Sequence, residues 1–456
     1  MKKHIILIFL LFSLNSQTSE PKIHRVAVIG TGYVGLVLGA GLAEFGHHVT
    51  CADIDKEKIS KLKQGIIPIF EPGLTELVEK NSQQKRLFFT DNLDEAIQNS
   101  EIIFIAVGTP TKNDGKTDIS AVVAVVERIL ANVNSYKIIC TKSTVPIGMS
   151  VIIQSMIEKE ELINSVDIIS NPEFLREGTA VEDFFNPDRV VIGVESDKAL
   201  EVINLLYAPL YKKNIPFLIT DIATAETIKY ASNAFLAVKI SYINEIAQLC
   251  EQVGANCKDV AYGMGLDVRI GHQFLKPGPG YGGSCLPKDT CALLNTAKEL
   301  GVNLRMVKAA IDANDFQRTR IIEKIATLLD NDVQGKTIGI WGLAFKANTD
   351  DIRESSAITI IQKLVEQGAL IKAYDPIAMD NMKKVIPNIS YCTTKEDAAL
   401  DCDLLLVLTE WQEFQEFKIN TLSSLMKQRK IIDTRNILPY KQLKNAGFTY
   451  YSIGKA

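Results

Sequence analysis

A glycine-rich fingerprint directly after the first apolar strand constrains the fold more than any other feature of the chain. Arg25 to Ile29 (RVAVI) is typical of a buried strand, and residues 30–35 then read G-T-G-Y-V-G. The next segment is helical in pattern as far as Gly46, and HVTCA predicts a second strand that ends at Asp53. A strand, glycines, a helix, a strand and an acid in this order predict a dinucleotide-binding α/β domain.

Each part of the fingerprint has a physical task. Gly30 permits a tight turn, Gly32 lets the backbone approach a pyrophosphate, and Gly35 lets the helix pack closely on the strand. The positive end of the helix dipole attracts the phosphate charge. Asp53 can accept hydrogen bonds from an adenosine ribose and would repel a 2′-phosphate, so NAD is favoured over NADP. Asp55 is the alternative ribose acid.

Four further apolar runs alternate with helical patterns, at residues 101–107, 137–140, 166–170 and 190–194. This alternation predicts a parallel sheet covered by helices on both faces. Ligands bind beyond the carboxyl ends of such strands, which makes three loops candidate walls of one cleft: Gly108–Thr111, Ser143–Pro146 and Asn171–Gly178. The composition of these loops is also that of ordinary turns.

A long helical pattern begins near Asp221, the candidate cap, and ends at Gly254. A second α/β pattern starts with KTIGIWG at Lys336, and further strands are predicted at Leu370–Tyr374, Asp403–Leu408 and Lys430–Asp433. The second pattern has GLAFK in place of the glycine fingerprint, so we expect it to bind the nucleotide of a substrate rather than NAD. The predicted fold class is α/β, with two Rossmann-like doubly wound parallel-sheet domains joined by a long central helix. The expected segments are a leader at 1–22, the NAD-binding domain at 23–219, a central helical dimerisation and catalytic-loop region at 220–330, and the second domain at 331–456.

The stretch from Phe274 to Thr290, FLKPGPGYGGSCLPKDT, looks like a shaped ligand loop around one cysteine. Glycine lets the backbone approach a ligand and proline fixes the path of the loop, which makes Cys285 a candidate nucleophile. The alternative is a plain connector that contains an ordinary small cysteine. Lys229 and Asn233 are four residues apart on the long helix and share one face, where they have either a role in the site or none beyond solvation.

The charge and cysteine content of the chain restrict the classes of ligand that it is expected to bind. The formal net charge is −4 with acidic and basic residues interspersed, so there is no basic stripe of the kind that a nucleic-acid-binding protein needs. The eight cysteines include no CxxC pair, and no Cys/His group has zinc-ligand spacing. We therefore expect a small-molecule partner, no metal and reduced thiols.

The N-terminus resembles a secretory signal. Lys2, Lys3 and His4 precede the apolar run IILIFLLFSL, but no A-x-A cleavage site follows and the run is short for a membrane span. Any membrane association would come through this leader. A free catalytic thiol suits a reducing compartment, so we expect a cytoplasmic active site.

The motifs together resemble one family. GTGYVG, VGTPTK, STVP, NPEFLREGTA, DVRIG, the cysteine loop, GLAFKANTDDIRESS and DTRN occur in the order found in the nucleotide-sugar dehydrogenases of the UDP-glucose/GDP-mannose dehydrogenase family, from about residue 23 to near the C-terminus. The resemblance implies a four-electron, NAD-dependent oxidation of UDP-glucose to UDP-glucuronate through a cysteine thiohemiacetal and thioester. It also implies that the second domain binds a UDP-sugar.

The resemblance also implies roles for individual residues. The expected catalytic residues are Cys285, Lys229, Asn233, Asp289, Glu173 and Thr144. The expected cofactor-binding residues are Gly30, Gly32, Tyr33, Val34, Gly35, Asp53, Lys58, Thr109, Thr144, Glu177, Lys288 and Arg353. The expected substrate-binding residues are Glu173, Phe174, Leu175, Arg176, Glu177, Lys229, Asn233, Arg269, Phe274, Leu275, Lys276, Pro277, Gly278, Gly282, Lys346 and Arg435. Arg269 matches an arginine that reaches the sugar site of the neighbouring subunit in some members, and the long helix favours a homodimer or a larger homo-oligomer.

Three alternatives stay open at this point. A sister enzyme would act on GDP-mannose or an N-acetylated UDP-sugar, although GYGG, NPEFLREG and DVRIG favour UDP-glucose. An inactive NAD-binding regulator would be expected to lack Cys285, Lys229, Asn233 or Asp289, and all four are present. An interaction protein of the cell envelope is suggested by the leader alone.

Overall fold

The computed structural model describes residues 22–112 and 114–455, so the signal-like segment at residues 1–21 lies outside the described residues. Within the described ranges, no helix combines the length and the apolar character that crossing a bilayer requires. The chain forms two compact units. The first consists of residues up to Lys112 and of Thr117–Lys229, and the second consists mainly of Tyr230–Ala456.

The first unit is built on an eight-stranded sheet with the order β3-β2-β1-β4-β5-β6-β7-β8. Its strands are β1 Arg25–Ile29, β2 His48–Ala52, β3 Leu87–Thr90, β4 Ile102–Ile105, β5 Lys137–Thr141, β6 Val166–Ser170, β7 Val190–Val194 and β8 Phe217–Thr220. Its helices are α1 Tyr33–Glu44, α2 Lys56–Lys63, α3 Leu74–Gln83, α4 Leu93–Gln98, α5 Ser120–Leu130, α6 Met149–Lys159, α7 Ala180–Phe185, α8 Asp197–Leu206 and α9 Ala208–Lys212.

Helices cover both faces of this sheet. Val26 and Val28 of β1 belong to one apolar cluster, whereas their neighbours Ala27 and Ile29 belong to another. Successive side chains of a strand point to opposite faces, so two clusters along one strand mean two buried faces. This explains why the strand reads as a continuous apolar run rather than as an alternating one.

One pairing departs from the predicted parallel arrangement. β7 runs antiparallel to β6, while β7 and β8 are parallel to each other. A parallel neighbour requires a crossover of a dozen or more residues, usually a helix packed on the sheet. Between β6 and β7 the only helix in the described chain is α7, which has 6 residues.

The helix α10, Ile222–Val253, is 32 residues long, and the division between the units falls inside it, between Lys229 and Tyr230. Asp221 precedes it and accepts hydrogen bonds from the backbone N–H and the hydroxyl of Thr224, at 2.8 and 2.7 Å. The predicted cap is thus present, because a side-chain acceptor satisfies an N–H that the first turn leaves without a partner.

The second unit contains a six-stranded parallel sheet with the order β11-β10-β9-β12-β13-β14. Its strands are β9 Thr337–Trp341, β10 Leu370–Tyr374, β11 Ser390–Tyr391, β12 Leu404–Val407, β13 Lys430–Asp433 and β14 Thr449–Ser452. Its helices, besides most of α10, are α11 Cys257–Gly265, α12 Leu286–Glu299, α13 Arg305–Leu328, α14 Ser356–Glu366, α15 Met379–Val385, α16 Lys395–Ala399, α17 Ile419–Leu425 and α18 Tyr440–Asn445, with a 3₁₀ helix at Gln412–Gln415.

The second sheet is also covered on both faces, because Leu404 and Leu406 of β12 pack in one apolar cluster and Leu405 and Val407 in another. Along the sequence, α10 follows the last strand of the first sheet and precedes the first strand of the second sheet. Two α/β domains with parallel sheets confirm the predicted fold class.

Candidate active site

The glycine fingerprint of the first unit forms the turn between β1 and α1. A Cβ at Gly35 would lie 1.9 Å from the carbonyl oxygen of Gly30, so only glycine allows α1 to pack this closely. A Cβ at Gly32 would meet no atom within 4 Å, which means that the space beside this backbone is open. The turn therefore fits a pyrophosphate at Gly32, next to the N–H groups at the start of α1.

Asp53 follows β2 and is held at the edge of this turn. Its Oδ2 accepts hydrogen bonds from the backbone N–H and the hydroxyl of Thr31, at 2.9 and 2.7 Å, and from Lys58 Nζ at 3.2 Å. Burial tends to raise the pKa of Asp53, but the bonds from Thr31 and the nearby ammonium outweigh it and leave that pKa below its usual value. Oδ1 accepts from the N–H of Asp55 at 3.0 Å, so this oxygen keeps acceptor capacity for a ribose hydroxyl.

Two of the predicted cleft walls are joined directly. Thr109 Oγ1 donates to the carbonyl of Thr144 at 3.0 Å, and Ser143 Oγ donates to the carbonyl of Val107 at 2.6 Å. These bonds tie the loop after β4 to the loop after β5. Both loops lie at the carboxyl edge of the sheet, as the strand order predicts.

Glu173 and Lys229 form a buried ion pair within the first unit. Lys229 Nζ donates to Glu173 Oε1 at 2.7 Å, and the side chains are 4% and 5% exposed, respectively. Glu173 Oε2 accepts from the backbone N–H of Leu175 at 2.6 Å. Burial alone would raise the pKa of Glu173, but the Lys229 ammonium and these hydrogen bonds outweigh it, so the pKa is lowered overall. Glu173 is therefore a carboxylate near neutral pH.

The ring of Phe174 lies near two cations. The guanidinium carbon of Arg189 is 3.6 Å from the ring centroid, and Lys229 Nζ is 5.3 Å from it. Cations over an aromatic face are attracted by its negative quadrupole. This contact fixes the ring beside the Glu173–Lys229 pair.

The rest of the loop after β6 is held through its backbone. Glu71 is buried, and its two oxygens accept from the N–H groups of Gly178 and Ala180, at 2.7 and 2.8 Å. The N–H of Arg176 donates to Asp183 at 2.8 Å, and the guanidinium of Arg176 also binds this carboxylate. The loop that carries the predicted substrate residues is thus a fixed segment.

In the second unit, Cys285 occupies the residue before α12. It is one of three partly exposed cysteines in the described chain, with Cys291 and Cys392, whereas the other five are buried. The dipole at a helix N-terminus stabilises a thiolate. The predicted loop ends earlier than expected, because Leu286–Thr290 already belong to α12, whose first turn accommodates Pro287.

A buried polar chain lies one turn into α12. Asp289 is fully buried, and its oxygens accept from Asn233 Nδ2 at 2.6 Å and from Lys288 Nζ at 2.5 Å. An amide nitrogen carries two hydrogens, so Asn233 keeps a second N–H for another oxygen. Lys288 and Asp289 therefore orient a donor of the kind that an oxyanion requires.

Polar side chains of α10 and α13 hold the loop before Cys285 by its backbone. Gly278 donates its N–H to Asn244 Oδ1 at 2.8 Å and accepts from Gln317 Nε2 at 2.8 Å. Asn314 binds Tyr281 in the same two-sided way, with the N–H of Tyr281 donating at 2.7 Å and its carbonyl accepting at 3.1 Å. We refer to Asn244, Asn314 and Gln317 as the loop clamp.

Arg435, a predicted substrate residue after β13, is oriented by backbone carbonyls. Its Nε donates to Leu408 at 2.8 Å and its Nη2 donates to Phe345 at 2.7 Å. Phe345 also lies under the cysteine loop, because a Cβ at Gly283 would be 2.8 Å from its ring. The carboxyl edge of the second sheet thus contacts both Arg435 and the glycines before Cys285.

The predicted site residues divide between the units. The first unit holds Gly30, Gly32, Tyr33, Val34, Gly35, Asp53, Lys58, Thr109, Thr144, Glu173, Phe174, Leu175, Arg176, Glu177 and Lys229. The second holds Asn233, Arg269, Phe274, Leu275, Lys276, Pro277, Gly278, Gly282, Cys285, Lys288, Asp289, Lys346, Arg353 and Arg435. Arg269 is exposed and paired with Asp267, and Arg353 forms a bidentate pair with Asp351. The roles of all these residues stay predictions.

The sequence reasoning missed the loop clamp, Glu71 and Arg189. Amides on an amphipathic helix carry no signal that separates a clamp from a solvated face. Glu71 lies in an FEPG turn that carries a visible turn signal, but its partners are more than a hundred residues away.

Three successive segments match the domains of one protein family. Residues 24–211 match the NAD binding domain of the UDP-glucose/GDP-mannose dehydrogenase family, residues 223–316 its central domain, and residues 339–440 its UDP binding domain. The chain belongs to the UDP-glucose/GDP-mannose dehydrogenase family. The resemblance seen in the motifs is thus confirmed, and the cofactor of this dehydrogenase is NAD.

Relatives of this family member match it over almost its whole length. A UDP-glucose 6-dehydrogenase of Rhizobium meliloti (strain 1021) is 47% identical over 434 residues, or 94% of this chain and 99% of that protein. UDP-glucose 6-dehydrogenase TuaD of Bacillus subtilis (strain 168) is 48% identical over 94% of this chain and 93% of that protein. The solved structure of a UDP-glucose dehydrogenase from the hyperthermophilic archaeon Pyrobaculum islandicum has a TM-score of 0.88 at 32% identity, and the match covers 96% and 99% of the two chains.

Proposed function

We propose that this dehydrogenase oxidises UDP-glucose to UDP-glucuronate in two NAD-dependent steps, with Cys285 as the nucleophile. The observation that carries the proposal is the partly exposed Cys285 at the start of α12, followed by Asp289, which orients Asn233. The names of the two relatives at 47% and 48% identity support UDP-glucose as the substrate.

Taking a primary alcohol to a carboxylate removes four electrons, so NAD, when bound, accepts one hydride in each of two oxidations. The residues of the chain bind and orient the reactants. In the first unit the open turn at Gly32 receives the pyrophosphate, and Asp53 receives a ribose hydroxyl.

Cys285 divides the second oxidation into easier steps. Its thiolate adds to the aldehyde carbon to give a thiohemiacetal, and the loss of a hydride from that carbon gives a thioester. Water then attacks the thioester, the C–S bond breaks, and the carboxylate and the thiol are released. Asn233 and Lys229 are assigned to stabilise the oxyanions, and Asp289 to position donor groups.

Glu173 is assigned as the base for the attacking water, with Thr144 holding that water. Its lowered pKa keeps it ionised and able to accept a proton near neutral pH. The Lys229 ammonium, 2.7 Å from Glu173 Oε1, can share a proton with it. This assignment rests on the resemblance and on the buried ion pair.

The test is NADH formation by the full-length chain with UDP-glucose, GDP-mannose or UDP-N-acetylmannosamine. We expect two NADH per UDP-glucose and almost none with the other sugars. Cys285→Ser should lower kcat by about 10³-fold or more, because the nucleophile is removed. Cys291→Ser, also partly exposed and six residues further on, is the matched control and should stay active. One NADH per sugar, or unimpaired turnover of Cys285→Ser, would overturn the mechanism.

We further propose a homodimer in which α10 packs against a second copy of the chain. Apolar side chains repeat on its exposed face, with Phe235 64%, Tyr242 47%, Leu249 56% and Val253 66% exposed. An apolar stripe of this kind is typical of a subunit interface. Sedimentation should give twice the chain mass, and Tyr242→Asp should shift the protein to the mass of a single chain.

We propose a cytoplasmic site of action, because NAD and a reactive thiol both suit a reducing compartment. Cell fractionation of the full-length protein tests this, and recovery of the dehydrogenase activity outside the cytoplasm would contradict it.

A further inference from the structure

The start of α6 is capped by a side chain that comes from α10. Glu226 is 4% exposed, and its two carboxylate oxygens accept from the backbone N–H groups of Gly148 and Ser150, at 2.7 and 3.2 Å. Gly148 is the residue before α6 and has no side chain that could supply a cap of its own. A carboxylate at this position satisfies N–H groups that the first turn leaves without partners, and it lies at the positive end of the helix dipole. Glu226 thus fixes the start of α6 to a helix that is 78 residues further along the chain.

The loop that leads into α6 carries Thr144, the residue assigned to hold the attacking water. On one side of Thr144, the N–H of Ser143 donates to the carbonyl of Ile105 at 2.9 Å, at the end of β4. The carbonyl of Thr144 itself accepts from Thr109 Oγ1 at 3.0 Å. On the other side, the loop ends at the N–H groups that Glu226 binds. The position of Thr144 is therefore set from both ends of the loop after β5.

The first turns of α10 contact this loop and also carry the lysine of the buried ion pair. Glu226 lies three residues before Lys229, so the two side chains are on the same side of the helix, and both belong to the first unit. Lys229 Nζ donates to Glu173 Oε1 at 2.7 Å. One turn before Glu226, Ile222 belongs to the same apolar cluster as Val145 of the loop after β5. The start of α10 thus joins the loop after β5 to the loop after β6.

We propose that Glu226 is a positioning residue for thioester hydrolysis, which sets the distance from Thr144 to Glu173. The inference rests on the proposed function, in which Thr144 holds the attacking water and Glu173 accepts its proton. In this step the water oxygen bonds to the thioester carbon, its proton passes to Glu173, and the C–S bond to Cys285 breaks. Hydrolysis needs the water and the base in register, whereas the two hydride transfers do not use this water. A small displacement of the loop after β5 therefore slows hydrolysis more than it slows either oxidation.

The test is a single turnover, with the full-length chain in excess over UDP-glucose and with saturating NAD. Absorbance follows the formation of NADH, and acid quenching with mass spectrometry of the intact chain follows the Cys285 adduct. We expect Glu226→Ala to slow the loss of the adduct about tenfold and to slow NADH formation less than about threefold. The adduct should therefore accumulate to a higher level in Glu226→Ala than in the wild type.

A double-mutant cycle with Thr144→Ala separates positioning from a general loss of structure. Thr144→Ala removes the hydroxyl that holds the water, so the further removal of Glu226 should slow hydrolysis little beyond the effect of Thr144→Ala alone. Two independent effects would instead multiply. Glu226→Gln keeps one acceptor oxygen for one of the two N–H groups, so it should slow hydrolysis less than Glu226→Ala and gives the cycle a second variant if Glu226→Ala does not fold.

Ser196→Ala is the matched control, because it removes a helix cap at the other edge of the same sheet. Ser196 Oγ accepts from the N–H of Ala199 at the start of α8, at 3.3 Å, and donates to Asp167 at 2.8 Å. Asp167 lies near the amino end of β6, away from the predicted cleft. Ser196→Ala should lower the unfolding temperature, as Glu226→Ala does, but should leave the loss of the adduct at the wild-type rate. Thermal unfolding is measured for every variant.

Three outcomes would overturn the inference. They are an adduct that does not accumulate above the wild-type level in Glu226→Ala, effects of Thr144→Ala and Glu226→Ala that multiply in the double variant, and a Ser196→Ala variant that slows hydrolysis as much as Glu226→Ala does. The proposed function fails separately, when the wild type forms no NADH from UDP-glucose. A wild type that forms two NADH per sugar, together with unchanged hydrolysis in folded Glu226→Ala or Glu226→Gln, would reject the role of Glu226 alone.

Discussion

The two units share a sheet topology but differ in the segment that follows the first strand of each sheet. The order β3-β2-β1-β4-β5-β6 in the first unit corresponds to β11-β10-β9-β12-β13-β14 in the second. Three residues, 30–32, separate β1 from α1, whereas fourteen residues, 342–355, separate β9 from α14. The first unit thus begins a helix where a phosphate would bind, and the second does not.

The aspartates after the second strand of each sheet also differ. Asp53 is 12% exposed in its side chain, and its Oδ1 has a single N–H donor, that of Asp55. Asp375 is fully buried and accepts from five donors, namely the N–H groups of Leu343, Ala344, Ile377 and Ala378 and Nε1 of Trp411. Asp375 therefore has a structural role and leaves no room for a ribose.

The residues that the second unit adds after β9 support the cysteine loop instead. The N–H of Gly283 donates to the carbonyl of Arg353 at 2.9 Å, and a Cβ at Gly282 would lie 2.3 Å from the carbonyl oxygen of Glu354. Arg318 of α13 donates to the carbonyls of both Tyr281 and Glu354, at 3.1 and 3.2 Å. The same sheet topology thus serves two functions, because the segment that follows the first strand determines which groups can lie at the carboxyl end of that strand.

The largest expected effect is the loss of stability that Asp375→Ala causes in the second unit. Five donors would lose their acceptor, so the free energy of unfolding should fall by about 4 kcal/mol. Both tryptophans, Trp341 and Trp411, lie in this unit and are buried, so urea unfolding followed by tryptophan fluorescence reports on it.

Asp53→Ala in the first unit is the matched comparison. It should cost about 1 kcal/mol of stability but weaken NAD binding about tenfold or more, because a ribose loses its acceptor. Equal stability losses in the two variants, or a loss of NAD affinity in folded Asp375→Ala protein, would mean that the two aspartates do not differ in role.

The next effect in size is that of Gly32→Val on NAD affinity. The side chain would enter the open space beside the turn and exclude the pyrophosphate, so the Kd for NAD should rise about 100-fold with little change in Tm. Isothermal titration calorimetry measures the affinity. Gly35→Ala should behave in the opposite way and destabilise the fold, because its Cβ would collide with Gly30. A Gly32→Val variant that binds NAD normally would place the pyrophosphate elsewhere.

Most of the fold could be predicted from the sequence, and the errors share a cause. Continuous apolar runs identified the central strands, and the predicted bounds of β1, β6, β7, β10 and β13 are those of the structure. The four strands not predicted are β3, β8, β11 and β14, which lie at the edges of the two sheets. Edge strands are covered on fewer sides and therefore lack a long apolar run, as the partly exposed Leu218 and Ile219 of β8 illustrate.

The site was predictable where a residue type is unusual for its surroundings. Cys285 stands in a glycine- and proline-rich loop and could be singled out, whereas Glu173 was singled out only through the resemblance to the family. The loop clamp could not, because the contacts of Asn244 and Gln317 with Gly278 join residues more than thirty positions apart and depend on how α10 and α13 pack. Helical spacing shows that such a residue faces inward, but not which backbone group it meets.

The smallest of the expected effects is that of the loop clamp on turnover. Gln317→Leu removes the donor to the carbonyl of Gly278 and should lower kcat about tenfold, because a small displacement of Cys285 weakens its alignment with the substrate. Its Kd for NAD should change little, since most of the expected cofactor-binding residues, including the fingerprint and Asp53, belong to the other unit. Thr319→Leu, on the exposed side of the same helix, is the control and should leave both quantities near wild type. Steady-state kinetics and calorimetry together check this separation. A Gln317→Leu variant that loses NAD affinity as much as turnover would contradict the comparison. It would show that NAD binding and turnover are not divided between the two units in the way that the ends of their first strands indicate.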